Sequence, residues 1–206
     1  NAVAPALPEL IGGSADLAPS NNTWINGVPA FGPEEPEGRN IHFGVRELSM
    51  AAITNGIYVH GGFIPYAGTF LVFSDYLRAA VRVSALSGMG SIWVLTHDSI
   101  AVGEDGPTHQ PVEQTMSLRL IPRLITIRPG DANEVAQAWK VALETRDQPT
   151  ALILSRQNLP TLDRSTLGSA QGLAKGANVL YQSQKADPAL ILLATAAELS
   201  LALEAA

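Results

Sequence analysis

The chain has 206 residues, 46% hydrophobic and 16% charged, enough for a packed domain of ordinary size plus part of another. A formal net charge of −6 argues against a nucleic-acid partner, and the absence of cysteine excludes a disulfide frame or a thiolate metal site. No apolar run approaches the roughly 20 residues that span a bilayer, and the first residues lack an export pattern, so a cytoplasmic protein without membrane contact is expected.

In chain order, "PELIGG" predicts a strand running into a turn, followed by a Ser/Asn/Gly/Pro-rich loop from Gly12 to Arg39. "NIHF" predicts a short strand, and "ELSMAAITNGIYVHGG" a helix closed by Gly61 and Gly62. "FIPYAGT" reads as a strand, "FLVFSDYLRAAVRVSALSG" as a helix ending at Gly88, and "SIWVLTHD" as a buried strand. A Gly/Pro/acid loop follows, then a helix near "PVEQTMSLRL", the strand "LITIRP", a helix over "DANEVAQAWKVALET" with Asp131 as N-cap, and the strand "TALILS". Strands apolar on both faces, alternating with helices, predict an α/β fold: a mostly parallel sheet with helices on both faces. The expected units are a domain over residues 1–160, a small, polar linker over 161–188, and the opening β–α unit of a further domain over 189–206. The sequence begins with Asn1 and stops inside the helical pattern "ELSLALEAA", so a piece of a longer chain is expected.

In an open parallel sheet, ligands sit beyond the carboxyl ends of the strands. The segments after the strands here are unusually polar, and they would gather Asp16, Ser20, Glu47, His97, Asp98, Glu104, Asp105, His109 and Arg156 on one rim. Each has a bland alternative. A glutamate in the first turn of a helix ordinarily complements the helix dipole, and loop histidines and acids are ordinarily solvated. Their convergence favours a site over coincidence. Phe70, Phe73 and Tyr76 fall three apart at the expected start of the next helix, either as core packing or as a platform for a flat heterocycle.

Taken together, "GGSADLAPSN", "NIHFGVREL", "GGFIPYAGTF", "THDSIAVGEDGPTHQPVEQ" and "PTALILSRQNLP" resemble the pyrimidine-binding domain of the transketolase family, almost unbroken from Gly12 to Pro160. The resemblance implies a thiamine diphosphate enzyme that moves a two-carbon ketol unit between sugar phosphates, in the cytoplasm or, in a plant, the plastid stroma. It implies that Glu47 meets the ring nitrogen of the cofactor's aminopyrimidine, where a shared proton assists activation of the thiazolium. By the same likeness Phe73 stacks on the pyrimidine, Phe70 and Tyr76 complete the wall, and Asp16 approaches the thiazolium. Ser20, His97 and Arg156 match residues that hold the substrate phosphate, and Asp105 and His109 match residues at the donor's hydroxyl and carbonyl end. His109 is thereby a catalytic candidate beside Glu47. The family's metal ligands belong to an upstream diphosphate-binding domain, so no metal ligand is expected in these residues. That domain, with its magnesium or calcium ion, would come from a second subunit of a homodimer. One departure is Leu48, where many relatives have a histidine or an aromatic, with altered packing behind Glu47 as the expected consequence.

Three alternatives stand beside this reading. Another thiamine diphosphate enzyme, such as dihydroxyacetone synthase, 1-deoxyxylulose-5-phosphate synthase or the beta subunit of a 2-oxoacid dehydrogenase, would share much of the pattern. A metal-dependent hydrolase using His97, Asp98, Asp105 and His109 has suitable ligand types, although the loop between them offers no helical i, i+4 pair. A catalytically silent subunit serving assembly alone is the third.

Overall fold

The computed structural model describes residues 1–183 and 190–206. Six strands form one sheet: β1 (Leu10–Ser14), β2 (Asn40–His42), β3 (Ile64–Phe70), β4 (Ile92–Thr96), β5 (Ile125–Ile127) and β6 (Thr150–Ile153). Their order is β2-β1-β3-β4-β6-β5, and every neighbouring pair is parallel. The α-helices are α1 (Ala18–Asn21), α2 (Glu47–His60), α3 (Ser74–Ser87), α4 (Gln114–Arg119), α5 (Ala132–Glu144) and α6 (Glu198–Ala205). None of the described helices is long and apolar enough to cross a membrane.

The strands are buried on both faces because successive side chains point to opposite sides. In β4, Trp93 and Leu95 enter one core with Met50, Leu77, Val81 and Leu118 from α2, α3 and α4. Ile92 and Val94 enter the other, against Ala138 and Ala142 of α5 and Ala4 near the N-terminus. Leu77 and Leu95 are almost fully buried, so truncating either to alanine costs roughly 2–5 kcal/mol. Helix ends follow local chemistry. Asp131 caps α5, its carboxylate accepting from the Glu134 N–H at 2.9 Å, and Gly88 ends α3 in the left-handed conformation with φ 69°.

Three expectations change. Phe70 is the last residue of β3 and Phe73 lies in a 3-10 turn over Leu71–Phe73, so only Tyr76 belongs to α3. The three rings are not a fan on one helical face; they form a ladder around a corner. The segment after β6, expected as a linker, is fastened to the domain at its start, where Arg164 pairs with Asp131 at 2.8 Å. Its 3-10 turn, Ala170–Lys175, packs on α5. The third concerns "ALILLATAA". Residues 190–195 form no strand, whereas α6 forms as expected; residues 184–189, which include the end of the expected linker and Ala189 of that strand, lie outside the described residues. A strand needs a neighbour to hydrogen-bond, and the edges of this sheet are β2 and β5.

Candidate functional site

Because all six strands are parallel, their carboxyl ends share one rim. The chain runs outward from β1 to β2 and then returns past β1 to β3, which makes the gap between β1 and β3 the topological switch point where such sheets bind ligands. A cavity of about 520 Å³ opens there. Ala15, Asp16 and Leu17 line it after β1, Val45 and Glu47 after β2, and Phe73 and Tyr76 after β3.

Glu47 is the first residue of α2 and only 8% exposed. Among the described residues, no hydrogen bond or ion pair reaches its carboxylate. The residue lines the cavity, where a ligand can reach its carboxylate, and the helix N-terminus favours its charge. Leu48, next to it on α2, is 53% exposed. The cavity wall is aromatic. Phe70 and Phe73 stack at 6.2 Å with their planes 10° apart, and Phe73 and Tyr76 at 6.2 Å and 28°.

The second group of candidates surrounds His97, which follows β4 and is itself buried. Its ring lies on Phe70 at 3.6 Å and 21°, and His109 meets Phe70 and Phe73 edge-on. Burial holds the imidazole below its ordinary pKa; Asp105 and Asp98 oppose this effect, while Arg156 and His109 add to it. Thus Asp105, His109, Arg156 and Asp98 all lie within electrostatic reach of one ring. The loop after β4 also closes over Arg156, whose guanidinium carbon lies 3.4 Å from where a Cβ on Gly103 would stand. At that residue φ is 82°, so glycine suits both the backbone and the approach. Asp16 and His97, neither of them glycine, also have positive φ, 61° and 59°. Such backbone costs on the order of 1–3 kcal/mol and concentrates at functional sites.

Not every candidate joins these groups. Ser20 is exposed on α1, next to Asn21, and Glu104 is exposed on the loop after β4. Asp98 turns away from the site into an ion pair, its Oδ2 2.8 Å from both Nε and a terminal nitrogen of Arg128. A hydrolytic centre built on His97, Asp98, Asp105 and His109 therefore loses one ligand to a salt bridge, and no cluster of three metal-ligating side chains exists among the described residues.

Several residues of this rim escaped the sequence reading. Asn21 is buried and joins Ser14, at 2.6 Å, to Thr96, also at 2.6 Å; Thr96 Oγ1 is in turn 2.9 Å from His97 Nδ1. Arg128 binds Asp98, Thr195 and Glu198, tying the rim to the segment leading into α6. Buried Gln114 of α4 donates to Asp75 of α3 at 3.0 Å. Asn21 stood in the polar stretch "SADLAPSNN" as one more loop residue, and no periodicity distinguishes a buried asparagine there from a solvated one.

Residues 1–161 match the family described as transketolase, pyrimidine binding domain. The transketolase of Geobacillus stearothermophilus is 55% identical over 205 residues, and that of Halalkalibacterium halodurans 56% over 206; each alignment takes in 100% of this chain and 31% of the relative. The chain thus spans about a third of the length of these curated relatives. The crystal structure of Pichia stipitis transketolase in complex with sedoheptulose-7-phosphate superposes with a TM-score of 0.92 at 47% identity, covering 98% of this chain and 30% of that one. The match in sequence and in structure is decisive: this chain belongs to the transketolase pyrimidine-binding domain family.

Proposed function

We propose that the protein acts as a transketolase, transferring a two-carbon ketol unit from a ketose phosphate to an aldose phosphate with thiamine diphosphate as cofactor. In this reading residues 1–160 are the pyrimidine-binding domain, 161–188 the connection and 189–206 the start of the next domain, supported by a family match that ends at residue 161. The observation that carries the reading is the unpartnered Glu47 carboxylate in an aromatic-walled cavity at the switch point. A flat aminopyrimidine fits this donor set, since its ring nitrogen can share a proton with Glu47 while its face stacks on Phe73.

When bound, thiamine diphosphate supplies the carbon nucleophile that accepts the two-carbon unit. The chain's own residues do the rest. Glu47 holds a proton at the pyrimidine nitrogen, and Phe73, with Phe70 and Tyr76 behind and beside it, orients the ring. Asp16 lies at the cavity edge toward the reacting end. His97, Arg156 and Ser20 bind the substrate phosphate, the guanidinium fork of Arg156 being suited to its oxygens. Asp105 reads a donor hydroxyl, and His109 serves the carbonyl end as the proton-transferring group.

The diphosphate and its magnesium or calcium ion belong to a domain outside these residues, contributed by a second subunit of a homodimer. Exposed Val45 and Tyr76 at the cavity, with Leu48 on α2 and Met116 on α4, support a covered surface there. Ketol transfer by the full-length protein is the test. Formation of the two expected sugar phosphates, dependent on thiamine diphosphate, supports the reading; preferential use of formaldehyde as acceptor would make it a dihydroxyacetone synthase instead.

A further inference from the structure

Arg128 stands just past the end of β5, and its side chain reaches in two directions. Inward, Nε and a terminal nitrogen both meet Asp98 Oδ2 at 2.8 Å, across the carboxyl end of β6, which lies between β5 and β4 in the sheet. Outward, the other terminal nitrogen meets Thr195 Oγ1 at 3.0 Å and Glu198 Oε2 at 3.1 Å. The Asp98 side chain is wholly buried, and its Oδ1 has no hydrogen-bond partner among the described residues. Among the same residues, Arg128 alone bonds the Asp98 carboxylate. The stem of Arg128 is firm, because the Gly130 N–H ties the turn after β5 to α5 by donating to Glu134 Oε2 at 2.9 Å. Leu199 of α6 sits against that turn: a Cβ on Gly130 would stand 2.3 Å from its Cδ2.

We propose that Arg128 is a positioning residue that couples the segment leading into α6 to the loop after β4, and through that loop to two side chains assigned to the substrate phosphate. The phosphate part rests on the function proposed above; the coupling does not. Asp98 is the base of the loop. It directly follows His97, whose left-handed backbone, φ 59°, persists only where neighbouring contacts hold it. Farther along, the loop closes over Arg156 at Gly103, with 3.4 Å between the guanidinium carbon and the place of a Cβ. One carboxylate thus anchors the start of the loop that presents His97 and covers Arg156, and one guanidinium holds that carboxylate. A planar fork suits the task, since its nitrogens face three acceptors at once in a rigid geometry. A lysine ammonium is a single point and cannot serve both directions in this way. Without Thr195 and Glu198, Asp98 alone would restrain the flexible arginine stem.

Two measurements on the full-length holoenzyme test the coupling and its consequence. The variants are Arg128→Lys, which keeps a charge beside Asp98, and Glu198→Ala, which cuts a half-exposed outer bond and should fold normally. Amide hydrogen exchange without substrate reads the coupling directly. Both variants should exchange faster over residues 97–109 as well as over 195–199. Unchanged exchange over 97–109 in Glu198→Ala would overturn the proposal, even if Arg128→Lys does not fold. Kinetics with a ketose phosphate and its unphosphorylated analogue read the consequence. Arg128→Lys should raise KM for the phosphorylated donor about 3- to 10-fold, with kcat and the other donor near parental values. Glu198→Ala should move the same KM by less, and the double variant should fall short of the product of the two effects. A double variant that equals the product, or an equal rise for both donors, would make Arg128 a structural residue only. If the parent shows no ketol transfer, the functional reading fails, and the exchange result still decides the coupling.

Discussion

The two sides of the cavity rim are finished to different degrees. Around His97 several polar groups find partners within this chain: Asn21 and Thr96 bond in sequence, Asp98 pairs with Arg128, and Phe70 covers the ring. Around Glu47 they do not. The carboxylate has no partner among the described residues, and Val45 and Tyr76 beside it are 73% and 64% exposed. Folding alone therefore sets the geometry of the first side. The second keeps an acceptor and an aromatic surface free, as expected of a surface completed by a ligand and another protein domain.

The comparison breaks most directly at Glu47. Glu47→Gln keeps the shape but cannot share a proton in the same way, so proton exchange at the thiazolium carbon of the assembled enzyme should slow on the order of 10²- to 10⁴-fold. Since no internal bond is lost, stability should stay within about 1 kcal/mol, the scale of the helix-dipole interaction given up. Exchange in heavy water and a denaturation midpoint measure the two quantities. Near-parental exchange would dismiss the assignment of Glu47, and a large loss of stability would mean that the carboxylate is a structural part after all.

The opposite pattern is expected at Arg128. Arg128→Ala removes the ion-pair partner from a fully buried carboxylate whose other oxygen, Oδ1, already lacks a hydrogen bond among the described residues. Stranding such a charge costs about 3–5 kcal/mol. The melting midpoint should fall well below that of Glu47→Gln, and Asp98→Asn in the same background should recover part of the loss by removing the charge. Equal stability of the two single variants would erase the distinction between the sides.

At the phosphate end, Arg156→Ala should weaken phosphorylated donors about 10- to 100-fold and leave an unphosphorylated donor nearly unchanged, the loss of one charge-assisted contact. Arg156 is exposed and makes no salt bridge among the described residues, so little stability should go with it. Steady-state kinetics with both donors measures the ratio, and equal losses would assign Arg156 a structural task.

Much of this architecture was legible in the sequence because its signals are local. A continuous apolar run located β4 and a helical apolar pattern α5, Asp131 announced its helix, and polar segments after strands placed Glu47, His97 and Arg156 on one rim. What was not legible depends on contacts between distant residues. Phe70, Phe73 and Tyr76 keep helical spacing, yet β3 extends through Phe70 because it pairs with β4 as far as Thr96. Asn21 and Thr96 are 75 positions apart, and neither has a periodic or compositional mark of its bond to the other. The expected strand at "ALILLATAA" has the right composition, but its described residues have no strand neighbour to pair with.

The smallest effect expected concerns acid stability and lies away from both sides of the cavity. Asp131 is buried at the start of α5; burial alone would raise its pKa, but the Glu134 and Leu162 N–H groups and the Arg164 guanidinium outweigh it, leaving the carboxyl below its ordinary range. A folded-state value below the unfolded one means that the unfolded chain binds the proton more readily. The stabilisation is therefore fully present above the unfolded value of about 3.9 and drains as pH falls through the lower folded value. Asp131→Asn keeps a competent N-cap but loses the charge that holds Arg164. The variant should be less stable near neutrality and converge on the parent in acid, so the gap in denaturation midpoint should narrow as pH falls below about 4. A gap that stays constant across this range would mean that the bond geometry at Asp131, and not its charge, fastens the segment after β6 to the domain.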